Sequence, residues 1–211
     1  QQHELHEARA LLEWMEDKHF TFLGYREYRL RRGPRRDLLQ PVADSGLGLM
    51  RAGRRGRPHS IALRGAVREF ARSPEPLIIT KANSIATVHR ATRLDYVGFK
   101  TFDAKGHVTG ERRFIGLWTS SAYSRTPLEI PVLRHKVQRV IDHFALPPTS
   151  HDNKALVHAL ETFPRDELFQ ATVPDLIRIV RGVVNLYERS QVRLFVRRDV
   201  FRRFYSCLVY V

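Results

Sequence analysis

The chain has 211 residues, 43% hydrophobic and 10% aromatic, the composition of one or two folded domains and not of a disordered segment. One cysteine, Cys207, excludes an internal disulfide framework and fits a reducing, cytoplasmic setting. No apolar run approaches the roughly 20 residues of a membrane span, so no membrane partner is expected. The net charge of +14, from 36 basic and 22 acidic residues, raises nucleic acid as a partner, yet only six of the basic residues are lysines.

In chain order, residues 4–18 carry Leu5, Ala8, Leu11, Leu12 and Met15 on one stripe at spacings of three and four, an amphipathic helix. His3 and His6 lie near its start without a third metal ligand nearby. Residues 20–30 have the β-rich composition of a first strand, and Gly24 predicts a kink in it. Residues 31–58 hold the one dense Arg cluster, from Arg31 to Arg57, interleaved with glycine and proline and not with aromatics at stacking spacing. A solvated loop is the favoured reading, an anionic partner (a subunit, a nucleotide or RNA) the alternative. Its Gly46-Leu47-Gly48 lacks the third glycine of a dinucleotide fingerprint, so a turn is expected.

A short helix is expected around residues 61–70, strands at 76–80 and 85–90, and a turn at 81–84 between them. Residues 94–123 then read as a long hairpin around which the sheet is organised. Residues 94–102 alternate, with Val97 and Phe99 on one face and Tyr96, Gly98 and Lys100 on the other. Asp103 and Gly106 supply the turn, and Gly110 predicts a bulge in the return strand 107–119. The result is a five-stranded antiparallel sheet with a covering helix, an α+β fold.

Beyond residue 125 the pattern becomes helical. Thr126 to Glu129 has the form of a capping box, but Pro131 fits poorly inside a helix and places the regular part beside it, with an apolar stripe from Val132 to Phe144. Ser150 caps a second helix, a short one covers 166–171, and a longer one 174–188. Residues 192–196 and 204–211 are strands joined by a basic stretch. Gln1 at the start and the apolar Cys-Leu-Val-Tyr-Val at the close lead to the expectation of an internal piece of a longer protein.

No HExxH, CxxC, GxSxG or P-loop spacing occurs. Asp166-Glu167 opens a helix and is explained by the helix dipole, His151 and His158 cannot close a zinc site alone, and Cys207 reads as an inert core thiol. No catalytic, cofactor-binding or metal residue is therefore assigned. Arg93, Tyr96, Lys100, Arg112 and Arg113, on or beside the hairpin, could hold a carboxylate effector in a cleft between the sheet and its helix; an ordinary solvated sheet face is the bland alternative.

Several runs are distinctive: FTFLGYREY (20–28), GERRFIGLWTSSAY (110–123), FPRDELFQ (163–170) and RDVFRRFYSCLVYV (198–211). They resemble the large bacterial NAD-specific glutamate dehydrogenases, collinearly over nearly the whole chain. The resemblance implies a piece of that family's N-terminal regulatory half: a PAS-type, sensor-like domain at 1–125, a helical linker at 126–190 and the first strands of an ACT-like domain at 191–211. It implies an oxidoreductase parent with NAD as cofactor, oxidising L-glutamate, and a homo-oligomer whose other domains and subunits are this piece's partners. The family's catalytic lysine and dinucleotide motifs find no match here, so the piece itself is expected to be non-catalytic. An amino-acid or nucleotide sensor and a nucleic-acid binder using the loop 31–57 are the alternatives.

Overall fold

The computed structural model describes residues 2–51, 59–184 and 192–210. Helix α1 (Gln2–Trp14) passes through a π-helical turn, Met15–His19, in which Lys18 has a φ of 66°, and enters strand β1 (Phe20–Arg31). Then follow β2 (Asp37–Pro41), β3 (Leu47–Gly48), β4 (Ile61–Leu63), α2 (Gly65–Arg72), β5 (Leu77–Ile85), β6 (Arg93–Phe102) and β7 (Val108–Trp118). These form one antiparallel sheet in the order β4-β2-β1-β7-β6-β5, with β3 on the flank of β1. Helices α3 (Ser120–Ser124), α4 (Leu133–Phe144), α5 (His151–Thr162), α6 (Arg165–Gln170) and α7 (Val173–Val184) come next, and β8 (Arg193–Arg198) pairs with β9 (Tyr205–Tyr210) in a separate hairpin. Among the described residues no helix is long and apolar enough to cross a membrane.

The α+β class and the organising hairpin stand as read. Asp103 Oδ1 accepts the backbone N–H groups of Lys105 and His107 at 2.9 Å, and Gly106 takes a φ of 80°, which suits glycine. The register shifts between Phe22 and Gly24 and again opposite Val108 to Gly110, where the two glycines predicted irregularity. Gly110 also lets β1 come close, since a Cβ there would lie 2.1 Å from the carbonyl oxygen of Tyr28.

Four expectations need correction. Among the described residues the sheet has seven strands, because β2 and β3 lie inside the basic stretch that was expected to be loop; the Arg-rich residues 52–58 of that stretch lie outside the described residues. Residues 61–63 pair with β2 as a strand, and the helix begins only at Gly65. The turn expected at 81–84 is a bulged continuation of β5, with the register shifting between Lys81 and Ile85, while residues 86–92 leave the sheet. Asn83 is used there as an anchor: its side chain donates to the carbonyl of Phe201 at 3.3 Å and accepts the Arg203 N–H at 2.9 Å. Cys207 is exposed, because its face of the β8–β9 hairpin has no covering layer among the described residues.

Residues paired directly across strands share a face. One face presents Phe20, Val97, Phe99, Phe114 and Trp118 and receives α1 and the helices from α4 onward. A continuous core joins Leu11, Met15, Val97 and Trp118 of the sheet unit to Leu133, Val140, Leu156, Leu168 and Leu176 of the helices. Trp118 is its hinge pin: it stacks on Phe169 with centroids 5.0 Å apart and meets Phe20 edge-on at 4.8 Å. The opposite face is covered at one end by α2, over Tyr28, Leu39 and Leu63.

Candidate functional site

A minority of the charged side chains are buried, Glu7, Asp37, Asp95, Lys100 and Glu111 among them, and these carry structural duties. Glu7, at the α1 surface that meets α4, accepts the Val132 N–H at 2.9 Å and the Arg134 Nε at 3.0 Å. Burial works against its charge, but Arg134, the Val132 N–H and His135 outweigh it and hold the carboxyl near a pKa of about 2. Thr126 does not close its capping box: its hydroxyl is buried without a partner, and Glu7 caps α4 instead.

Lys81 Nζ bridges two acids, Asp95 Oδ1 at 2.6 Å and Asp166 Oδ2 at 3.0 Å. Asp95 also accepts the Trp118 N–H at 3.1 Å, and the Tyr123 hydroxyl donates to Asp166 at 3.2 Å. Burial raises the Asp95 pKa; Lys81 opposes this and the neighbouring Asp166 carboxylate adds to it. The node ties β5 and β6 to α6, so Asp166 does more than satisfy a helix dipole. Its neighbour Glu167 pairs with Arg197 of β8 at 2.8 Å. Lys136 of α4 donates to the carbonyls of Leu168, Phe169 and Ala171 at 2.8–3.0 Å, closing the C-terminal end of α6. Asp37 is held between Arg72 at 2.6 Å and Arg68 at 3.3 Å.

The five residues singled out around the hairpin separate. Tyr96 and Arg113 meet on the α2-facing side: both contact Glu111, Arg113 Nε at 3.0 Å, and the Arg113 guanidinium also lies 4.3 Å from the Tyr28 ring centroid. Lys100 lies on the same side, where its ammonium reaches the carbonyls of Phe70 and Ser73; burial lowers its pKa to about 8 against the pull of Glu75 and Glu111. Arg93 stands at the sheet edge over the Phe204 ring at 4.0 Å. Arg112 points to the other face, where Glu27 is 3.7 Å away.

On that other face a cavity of about 690 Å³ opens between α1 and the strands, floored by Phe22, Phe99 and Phe114 and roofed by Leu5, Ala8 and Leu12. A second groove of about 620 Å³ runs where Glu75, Lys136, Arg139 and Asp199 converge, bounded by β5, the α6–α7 junction and the β8–β9 loop. Among the described residues no three His, Cys, Asp or Glu side chains come together as a metal site.

The comparisons with known proteins bear on the whole chain. The family "Glutamate dehydrogenase, helical motif 1" matches residues 130–189, the stretch that begins just before α4. An NAD-specific glutamate dehydrogenase of Halomonas elongata is 39% identical over 207 residues, 97% of this chain. This chain is similar, over nearly its whole length, to one segment of the NAD-specific glutamate dehydrogenases. The Pseudomonas aeruginosa enzyme of that name is also 39% identical, over 99% of the chain, and the Mycobacterium tuberculosis one 29% identical over 95%. The chain spans 13% of the length of the first two relatives and 11% of the third. No solved structure matches it. The glutamate dehydrogenase resemblance seen in the four sequence runs therefore stands.

Several of the interacting residues escaped the sequence reading although a signal was present. Glu7 falls four residues before Leu11 and eight before Met15, on the buried side of its helix. Asp95 alternates with Val97 and Phe99, on the apolar face of β6. A charge in register with an apolar stripe needs a partner when buried, and both have one. For Lys136 no such local signal exists, since its acceptors are backbone carbonyls more than 30 residues away.

Proposed function

We propose that the chain serves as a non-catalytic regulatory or assembly segment of a cytoplasmic NAD-dependent glutamate dehydrogenase. The parent reaction converts L-glutamate, NAD and water to 2-oxoglutarate, ammonium and NADH. The observation that carries this reading is near-complete alignment of the chain with enzymes of which it spans about an eighth. The internal use of its charges supports it: Glu7, Asp95, Asp166, Glu111 (through Tyr96) and Lys136 are each engaged in holding one element of the chain to another.

In this reading residues 1–125 form a PAS-like sensor domain, 126–190 a helical linker and 191–211 the opening of an ACT-like unit. The antiparallel sheet with helices against it supports the first assignment, and the open apolar side of the β8–β9 hairpin supports the last. Its partners are other domains and subunits of a homo-oligomer, with an amino acid as effector. The 211-residue chain assayed alone should give no glutamate-dependent NAD reduction; measurable turnover would overturn the proposal. In a full-length relative, deletion of the matching segment should change oligomeric state or effector response, and an unchanged enzyme would count equally against it.

A further inference from the structure

We propose that the cavity between α1 and the sheet is a binding site for an amphipathic monocarboxylate, an acid whose apolar tail has about eight to twelve carbons. The site goes beyond the segment's role in its parent enzyme and stands on its own geometry.

The floor is aromatic and ordered. Phe22 and Phe99 each meet Phe114 edge-on, with centroids 5.5 and 5.7 Å apart, so the three rings form a continuous apolar bed. Leu5 and Leu12 of α1 overhang it without filling the space. The same stripe seals the core at Leu11 and Met15, both fully buried, yet Leu5 remains 42% exposed and Phe22 41%. Apolar surface facing an open cavity of this size is unfavourable until an apolar group displaces the water.

The charge of the ligand follows from the walls. Every charged residue lining the cavity is a cation: Arg9, Lys100 and Arg112. The Lys100 ammonium is committed to Phe70 and Ser73 on the opposite face of the sheet, which leaves the two guanidinium groups. Arg112 stands directly across from Phe99, at the end of the aromatic bed, and its acid neighbour Glu27 is at a loose 3.7 Å and already receives the Tyr25 hydroxyl. Arg9 pairs with Glu13 at 2.9 Å on the exposed helix surface, a solvated contact that a carboxylate can replace at little cost. A carboxylate on Arg112 would lay its tail along Phe99, Phe114 and Phe22. An apolar alcohol would leave the guanidinium unanswered, and an amine would be repelled.

Isothermal titration of the 211-residue chain with decanoate, decanol and decyltrimethylammonium tests this. Decanoate should saturate one site, decanol should bind at least about five-fold more weakly, and the cation should not bind. Arg112→Met should bring decanoate down to the level of decanol while leaving decanol unchanged. Thr101→Trp, from a rim position, should abolish both; if that variant does not fold, Leu5→Trp fills the same space from the helix. The proposal is overturned by absence of saturable decanoate binding below millimolar concentration, by equal binding of decanol, or by decanoate binding that survives both Arg112→Met and the filled cavity. Sedimentation with phosphatidylglycerol vesicles in the absence of free decanoate binding would assign the cations to a membrane surface and overturn it too.

Discussion

Glu7 caps a helix from far back along the chain: its Oε2 accepts the backbone N–H of Val132, the N-cap residue of α4 125 residues further on, at 2.9 Å. Val132 holds a φ of 71°, costly for a β-branched residue, and the cap together with the Arg134 ion pair fixes that turn. One carboxylate thereby locks α1 to the start of the helical segment.

The Glu7 carboxyl titrates near pH 2 in the folded chain against 4.5 when unperturbed. A depressed acid contributes stability that is complete above the unfolded pKa and disappears as pH falls through the folded one, so the contribution should fade between about pH 4.5 and 2. Glu7→Gln keeps an acceptor for Val132 but removes the charge from beside Arg134. It should cost on the order of 2–3 kcal/mol at neutral pH. In urea unfolding as a function of pH, the gap between wild type and variant should close below pH 4; a gap that stays constant would mean that the charge is not the source.

Much of this was legible in the sequence and some was not, for physical reasons. The hairpin was readable because period-two alternation and an Asp–Gly turn are local features, and Ser150 was readable as a cap, accepting the Asn153 N–H at 3.1 Å. Pro131 was readable as placing the start of the regular helix beside it, and α4 begins at Leu133; only the Thr126 capping box misled, since its hydroxyl finds no partner. The 81–84 turn misled because Asn and Ser favour turns only until a tertiary partner uses them, and Asn83 has one in the Phe201–Arg203 backbone. The separation of Arg112 from Arg113 needed only the alternation of β7. The cavity needed the whole fold, since it arises from how far α1 stands off the strands.

Lys136 acts as a three-fold cap, its ammonium shared among the carbonyls of Leu168, Phe169 and Ala171. Burial, with Arg197 nearby, pulls its pKa down to about 8, which still leaves the group mostly protonated at neutral pH. Lys136→Met preserves the length of the stem and removes all three donors. The variant should lose about 2 kcal/mol, and amide exchange should quicken in α6 before it does in α5. Uniform loss of protection through all the helices would contradict a local cap.

Arg113 and Glu111 form an ion pair inside the sheet, each side chain no more than 13% exposed, with the Tyr96 hydroxyl completing the carboxylate's partners. Arg113→Met strands a buried carboxylate and should cost about 3–5 kcal/mol. Glu111→Gln in the same chain removes that charge while leaving an acceptor for Tyr96. The double variant should therefore be more stable than Arg113→Met alone, as read from urea midpoints. If the two losses simply add, the pair is not coupled in the way its geometry indicates.

Cys207 lies on the open side of the β8–β9 hairpin, opposite Val196 in the register and beside Leu194, Val209 and Tyr205, which are 51–61% exposed together with Val196. The reverse side, with Phe195, Leu208 and Tyr210, packs onto the main core. Among the described residues one apolar side of this two-stranded ribbon is open, a surface made for a further layer. In the 211-residue chain the thiol should react with a disulfide reagent at a rate near that of an unfolded peptide, without prior unfolding. In a full-length glutamate dehydrogenase carrying a cysteine at the matching position, reaction should slow at least about ten-fold if the layer is supplied by the rest of the enzyme. Equal rates in the two proteins would show that the ribbon stays open and would remove the support it gives to an ACT-like unit beginning there.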